Sequence, residues 1–236
     1  MTVPSGTAGT PLHAIVPAAG RAERFGTGEL KQLSRVAGRP LVAWTVERLL
    51  AFGCASVVVA FPEEVLAAAR HALPDDPRVS TVTGGATRQA SVASALAESP
   101  AAAEQWVAVH DGARAVVALS DLAVALIAAE AGDGSVLGRD LTDTLKRVEE
   151  GRIVETLDRR ALFRAETPQI FRRRTLERAF EAARRDRFVG TDEASLVERL
   201  GGMRIAAVRA EYPNPKLTYP EDLAEIERLL DREAAR

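Results

Sequence analysis

A few short stretches of this chain hold the residues whose types and spacing bear on chemistry. In IVPAAGRAERFGTGELKQ (15–32) an apolar run stops on Pro17-Ala18-Ala19-Gly20, and a polar loop with Arg21, Arg24 and Lys31 follows. Small side chains let backbone N–H groups approach a ligand closely, and fixed cations beside them favour an anion. Neither a P-loop nor a G-x-G-x-x-G pattern is present, because Gly20, Gly26 and Gly28 have the wrong spacing. The stretch reads as a phosphate loop of another kind, or as a solvated Gly-rich loop. TGGATRQAS (83–91) pairs two glycines with Arg88 and Ser91; it reads equally as a capped helix start. In VHDGAR (109–114), Asp111 ends an apolar run. Its carboxylate can hold a hydroxyl or a metal and Arg114 a phosphate, or the two can pair locally. His110 reads as structural. PNPKLT (213–218) presents Lys216, and VGTDEAS (189–195) presents Thr191, whose plainer reading is a helix cap.

The elements that must position these residues follow from periodicity. Val/Ile-rich runs at 13–17, 56–61, 79–83 and 106–110 predict strands. Helical patterns at 40–52, 63–73, 88–99 and from Asp121 alternate with them. Such alternation predicts an α/β fold with a mostly parallel sheet and helices on both faces. In parallel sheets, ligands sit beyond the carboxyl ends of strands, where the first three motifs fall. The rhythm breaks after Gly134. Residues 143–157 predict a hairpin turning at 149–151, too poor in apolar bulk to stand unsupported. Helices are expected at 172–185 and 192–200, a strand at 203–210, and a last helix opening with a Thr218/Glu221 capping box. The Arg172–Arg174 run reads as the solvated face of a helix. Residues 1–11 read as a flexible leader, 12–236 as one domain, and about 142–160 as a projecting arm.

Composition excludes several classes. Of 236 residues, 47% are hydrophobic, enough for a packed core, and the net charge of −2 provides no global field for nucleic acid. Aromatics at 5% are too sparse for base stacking. A lone Cys54 permits no internal disulfide and suits a reducing, cytoplasmic setting. No apolar run approaches a membrane span.

Taken in order, PAAGRAERF with KQ, GGATRQAS, VHDGAR, DTLKR, DRRALFRAETPQIF, TDEAS and KLTYPEDL resemble the 2-C-methyl-D-erythritol 4-phosphate cytidylyltransferases from Ile15 to about Leu230. Leu30 and Ala115 stand where that family commonly has proline. The resemblance implies a Rossmann-like sheet, a hairpin arm used for dimerisation, and a homodimer with shared sites. It implies that CTP and the phosphate of methylerythritol phosphate are joined with release of pyrophosphate. It assigns catalysis to Arg24, Lys31 and Lys216, and CTP binding to Pro17, Ala18, Ala19, Gly20, Gly85, Arg88 and Ser91. Asp111, Arg114, Thr167 and Thr191 would hold the acceptor, joined by Thr144 and Arg159 of the partner's arm. Mg²⁺ would be held mainly through the CTP phosphates, with no dedicated protein ligands. A ribitol 5-phosphate cytidylyltransferase and a non-catalytic nucleotide-binding protein are the alternatives.

Overall fold

Strands β1 (Leu12–Pro17), β4 (Ser56–Phe61) and β6 (Trp106–Val109) are buried at every position. Their side chains divide with a period of two. Ala14, Val16, Val57, Val59, Trp106 and Ala108 enter one core; Ile15, Val58, Ala60, Val107 and Val109 enter another on the opposite face. A strand covered on both faces has no solvated side to be polar, so these runs read as continuously apolar. The structure, a computed structural model, describes residues 10–20 and 30–234. Most of the expected leader and all of Arg21 and Arg24 lie outside the described residues.

The first core is covered by α1 (Leu41–Phe52) and α4 (Leu119–Glu130), the second by α3 (Arg88–Glu98), α5 (Arg173–Asp186) and α6 (Glu193–Glu198). Cys54 is fully buried in the first core, and burial pushes its thiol up to about 12, which leaves it unreactive. Gly53 ends α1 in the left-handed conformation, φ 97°, as its position just past the periodic pattern predicts. The helix expected over 63–73 is shorter: a 3-10 turn at Glu63–Val65, then α2 (Leu66–Arg70).

The main sheet has seven strands in the order β11-β7-β10-β6-β1-β4-β5. From β1 the chain moves outward through β4 to β5 (Val79–Thr83), then returns to lay β6 on β1's other side, all in parallel. The carboxyl ends of β1 and β6 therefore flank the point where strand order reverses, the position at which α/β sheets bind ligands. Strands β7 (Gly134–Asp140) and β10 (Phe163–Arg172) are not apparent from the sequence pattern. β10 runs antiparallel to both β6 and β7, with a bulge between Ala165 and Gln169. β11 (Ile205–Arg209) pairs parallel with β7 at the edge. A two-stranded ladder of β2 (Arg35–Val36) and β3 (Arg39–Pro40) leads into α1.

The projecting hairpin is β8 (Lys146–Glu149) and β9 (Arg152–Thr156). Glu150 (φ 48°) and Gly151 (φ 77°) form its turn, both left-handed as a two-residue hairpin loop requires. The last helix, α7 (Asp222–Ala234), starts later than expected. In place of the Thr218/Glu221 box, the Asp222 carboxylate accepts from the N–H groups of Thr218 (2.7 Å) and Tyr219 (2.8 Å). The Arg172–Arg174 run is not simply a wet face. Arg172 stacks on Trp106 at 4.3 Å, Arg173 donates to the Ala101 carbonyl at 2.8 Å, and Arg174 pairs with Glu104. These arginines clamp the turn before β6. Among the described residues no helix is long and apolar enough to cross a membrane.

Candidate active site

Asp111 follows β6 at the reversal point and is the centre of the site. Its carboxylate is 7% exposed and accepts from Lys216 Nζ at 2.7 Å and Arg88 Nε at 3.0 Å, with Arg114 Nε at 3.9 Å. Burial alone would raise its pKa, but Arg88, Lys216 and Arg114 together hold the carboxyl well below the usual range. Arg88 forks the buried Glu193 at 2.8 and 3.0 Å. Burial lifts the Glu193 carboxyl above its ordinary value even against that partner. Arg88, expected to bind CTP, thus has all three guanidinium nitrogens on carboxylates.

Beneath Asp111 the hydrogen bonds form a closed chain. The Asp111 N–H donates to Thr167 Oγ1 (3.0 Å), which lies 3.1 Å from His110 Nδ1, while His110 Nε2 lies 3.0 Å from the Arg114 carbonyl. That carbonyl can only accept, so Nε2 carries the proton and Nδ1 accepts from the threonine hydroxyl. Burial depresses His110 to about 4, keeping it neutral. His110 is structural, as expected, and Thr167 is brought to Asp111 by the β10 bulge. Lys216 is held in place by its neighbours: the Leu217 N–H donates to the Ala113 carbonyl (2.9 Å), and Asn214 Nδ2 to the Thr167 carbonyl (2.8 Å).

The opposite wall is made of small residues. A Cβ on Gly84 would lie 2.6 Å from Ala19 Cβ and 2.9 Å from Ser91 Oγ; one on Gly85 would lie 2.4 Å from Ala90 Cβ. The loop thus packs against Ala19 because Gly84 lacks a side chain, and folds onto the start of α3 because Gly85 does. Thr87 caps α3, its hydroxyl accepting from the Ala90 N–H at 3.0 Å. Ser91 is buried, with its hydroxyl on the Thr87 (2.9 Å) and Gly85 (3.2 Å) carbonyls. Pro17, Ala19, Gly20, Gln32, Asp111 and Lys216 line a cleft of about 110 Å³. It adjoins a cavity of about 570 Å³ over Ala19, Gly20, Pro62, Glu63, Gly84 and Gly85. On the far side of Lys216 a third cavity, about 550 Å³, is lined by Arg114, Arg139, Arg164, Glu166 and Asn214. Lys216 lines both this cavity and the cleft.

The structure thus brings together Pro17, Ala18, Ala19, Gly20, Gly85, Arg88, Ser91, Asp111, Arg114, Thr167 and Lys216. Lys31 opens a 3-10 turn, Lys31–Leu33; its side chain, like Arg24, lies outside the described residues. Thr191 is exposed and precedes α6, but the cap is Asp192, in a capping box with Ser195. Gln169 secures that cap, donating to Asp192 at 2.7 Å and accepting from the Ala194 N–H at 2.9 Å. Thr144 and Arg159 stand exposed at the hairpin base, where Arg159 donates to the Thr142 carbonyl. The sequence reading missed Glu193, Gln32 and Glu166 as site residues. Glu193 had a signal, an acid in the first turn of a helix beside a cap, but nothing in the spacing pairs it with Arg88.

Comparison with known proteins places this arrangement. A model of the 2-C-methyl-D-erythritol 4-phosphate cytidylyltransferase family (IspD) matches residues 12–232. The cytidylyltransferase of that name from Aeromonas hydrophila is 40% identical over 95% of this chain and 92% of its own. The one from Aquifex aeolicus is 38% identical over 92% and 96%. The crystal structure of the Thermus thermophilus protein of the same name superposes with TM-score 0.78 at 32% identity, covering 94% of this chain and all of the other. The chain belongs to the 2-C-methyl-D-erythritol 4-phosphate cytidylyltransferase family.

Proposed function

We propose that the chain transfers the cytidylyl group of CTP to the phosphate of 2-C-methyl-D-erythritol 4-phosphate, giving CDP-methylerythritol and pyrophosphate. The observation that carries the reading is the position of Lys216, the common wall of two cavities. The nucleotide occupies the cavity over Gly84 and Gly85 and extends its phosphates along Gly20 into the cleft. The acceptor enters from the arginine-lined side, so that its phosphate meets the α-phosphate beside Lys216.

An oxygen of the acceptor phosphate attacks the α-phosphorus in line, a new P–O bond forms, and the bond to the β-phosphate breaks. A phosphate monoester has a second pKa of about 6 and is already largely dianionic near neutral pH, so no general base is needed. What the chemistry requires is cations that allow two anions to approach and that stabilise the departing pyrophosphate. Arg24, Lys31 and Lys216 take that role. Backbone groups of Ala18, Ala19 and Gly85 read the cytosine edge, whose exocyclic amine needs an acceptor. Asp111, kept ionised by its three cations, accepts from an acceptor hydroxyl, with Arg114 and Thr167 beside it and Thr191, from the loop before α6, reaching the acceptor from the exposed side.

Among the described residues no group of three or more acidic, histidine or cysteine side chains is placed to hold a metal. Mg²⁺ arriving on the triphosphate needs no such group, and when bound it neutralises phosphate charge. The hairpin exposes Val148, Ile153 and Val154, of which Val148 and Ile153 are direct partners across the ladder, apolar area that a second subunit would cover. In such a homodimer each arm delivers Thr144 and Arg159 to the partner's site, and the protein works in the cytoplasm.

The test is pyrophosphate release from CTP and Mg²⁺ with methylerythritol phosphate or ribitol 5-phosphate, for the native protein and for Lys31→Ala and Lys216→Ala. Release with the first acceptor is expected, reduced about 10²- to 10³-fold in each variant. Release only with ribitol phosphate would overturn the acceptor; silence with both would overturn the activity.

A further inference from the structure

Two strands beside the 550 Å³ cavity carry charges that the mechanism above does not use. Arg139 on β7 and Arg164 on β10 are direct partners across the antiparallel ladder, and both line the cavity. Like charges placed directly opposite destabilise a sheet. The compensation is a single buried carboxylate. Glu166, 4% exposed, accepts from Arg164 Nη2 at 3.0 Å and lies 3.6 Å from Arg139 Nε and 3.7 Å from Arg114 Nη1.

The carbonyls of Asn214 and Tyr212 accept from Arg114 and Arg139, yet with one carboxylate among three guanidinium groups the network is not closed. Glu166 Oε2, Arg114 Nε and Asn214 Oδ1 are all buried without a hydrogen-bond partner, and all three residues line this cavity. Buried polar groups in native proteins nearly always have partners; here the two oxygens call for donors, such as the hydroxyls of a polyol, and only the Arg114 Nε–H can turn to an anion. The charge balance states what else such a molecule carries. Arg114, Arg139, Arg164 and Lys216 oppose Glu166 and Glu225 in the lining, four cations against two carboxylates; Asp111 behind Lys216 and Arg114 offsets one more, which leaves the excess positive charge with Arg139 and Arg164. A phosphate monoester near neutral pH carries about two negative charges.

We propose that Arg139 and Arg164 are phosphate-binding residues of this cavity and that Glu166 is the positioning residue that holds their guanidinium groups towards it. The proposal rests on the reading of the acceptor as a phosphorylated polyol and deepens it, by adding cations of the chain's own β7 and β10 to those already assigned. Glu166 lowers the repulsion between the two arginines and fixes the fork of Arg164. Without it Arg164 would lose its carboxylate partner, while Arg139 would keep only the Tyr212 carbonyl to which it donates.

The experiment measures KM for CTP and for methylerythritol phosphate in the native enzyme, in the Arg139→Ala/Arg164→Ala double variant and in Glu166→Gln. In the double variant the acceptor KM should rise about 10- to 100-fold, the worth of one or two charge-assisted hydrogen bonds, with the CTP KM within about twofold. Glu166→Gln should raise the acceptor KM about fivefold with kcat nearly unchanged, a split that a purely structural role would not produce. Thermal melts check folding, and if Glu166→Gln fails to fold the double variant decides. An acceptor KM within about twofold of native in the folded double variant overturns the proposal. If the native enzyme forms no product at all, the acceptor reading has failed independently. Calorimetric titration with inorganic phosphate then decides: binding in the native protein that disappears in the double variant upholds the phosphate seat, and equal or undetectable binding in both overturns it.

Discussion

The wall over Gly84 and the wall over Glu166 meet at Lys216, yet they are made of different material. The first consists of Pro17, Ala18, Ala19, Gly20, Gly84 and Gly85, and its shape is fixed by how closely bare backbone can pack: a single added methyl at Gly84 would sit 2.6 Å from Ala19. The second consists of long charged side chains on Arg114, Arg139, Arg164 and Glu166, whose positions depend on one another's charge. A surface of backbone is rigid and suits a ligand read by fixed hydrogen-bond geometry. A surface of paired charges can rearrange and suits an anion that must be brought in against another anion. Asp111 joins the two, and it is the place to break both at once. In Asp111→Ala, Lys216, Arg88 and Arg114 lose their shared carboxylate while still partly buried. Removing one member of such a cluster costs about 3–5 kcal/mol, and activity should fall by about 10²-fold or more. Urea denaturation with parallel turnover assays checks this; native stability in the variant would mean the cations are solvated rather than held.

The second prediction concerns what lies under the charged wall. His110 is fully buried and neutral, with its pKa depressed from 6.5 to about 4. A histidine whose folded value lies below its unfolded value contributes stability that is complete above about pH 6.5 and is lost as pH falls towards 4. The loss from this one group is roughly 3 kcal/mol over that window. Glu193 acts with opposite sign: its raised pKa adds stability as pH falls through that raised value, an effect complete below its ordinary 4.5, and it offsets part of the loss. The His110 contribution to unfolding free energy should fall from pH 7 to 5, and the difference between native protein and His110→Gln should shrink over that range. A constant difference would remove His110 from its place in the hydrogen-bond chain.

How much of each wall was legible in the sequence follows from the same contrast. Backbone surfaces announce themselves, since Pro-Ala-Ala-Gly after an apolar run, or Gly-Gly before a helical period, has few other uses. The early strand–helix alternations were readable for a related reason, because strands buried on both faces leave unbroken Val/Ile runs. β7 and β10 were not. Gly134 and Gly138 weaken the strand pattern of β7, and they are there because aromatic rings of Phe171 and Phe163 cover them: an added Cβ would lie 2.2 and 2.5 Å from those rings. Pro168 interrupts β10 at its bulge, where the sequence pattern argues against a strand. The charged wall was legible only as a scatter of Arg and Glu, because pairings such as Arg88 with Glu193, 105 positions apart, arise from the sheet order and not from spacing.

Two glycines test the backbone wall by separating folding from binding. Gly84→Ala forces a Cβ into Ala19 and Ser91 and should destabilise by about 1–3 kcal/mol, the usual range for overpacking. At Gly20 the nearest atom to an added Cβ is Gln32 Nε2, at 3.9 Å, ordinary contact. Gly20→Ala should therefore fold with native stability while its methyl obstructs the close approach of the nucleotide, raising KM for CTP and leaving the acceptor KM unchanged. Equal thermal midpoints for the two variants would remove the packing argument; an unchanged CTP KM in Gly20→Ala would move the nucleotide away from this loop.

The smallest expected effect on subunit stability belongs to the hairpin, and there the contrast between stability and assembly is sharpest. Ile153 is 66% exposed and Val148 56%. A charge at Ile153 meets water in the isolated chain and should change unfolding free energy by no more than about 0.5 kcal/mol. In a homodimer the same carboxylate would be buried in an apolar contact, so Ile153→Asp should shift the sedimentation coefficient towards that of the monomer and make specific activity fall on dilution. Because Thr144 and Arg159 stand at the base of this arm, loss of the dimer should raise the acceptor KM more than that of CTP. A variant that remains dimeric places the subunit contact elsewhere. A monomer with full activity removes the arm from the active site and leaves the charged wall to hold the acceptor with the chain's own residues.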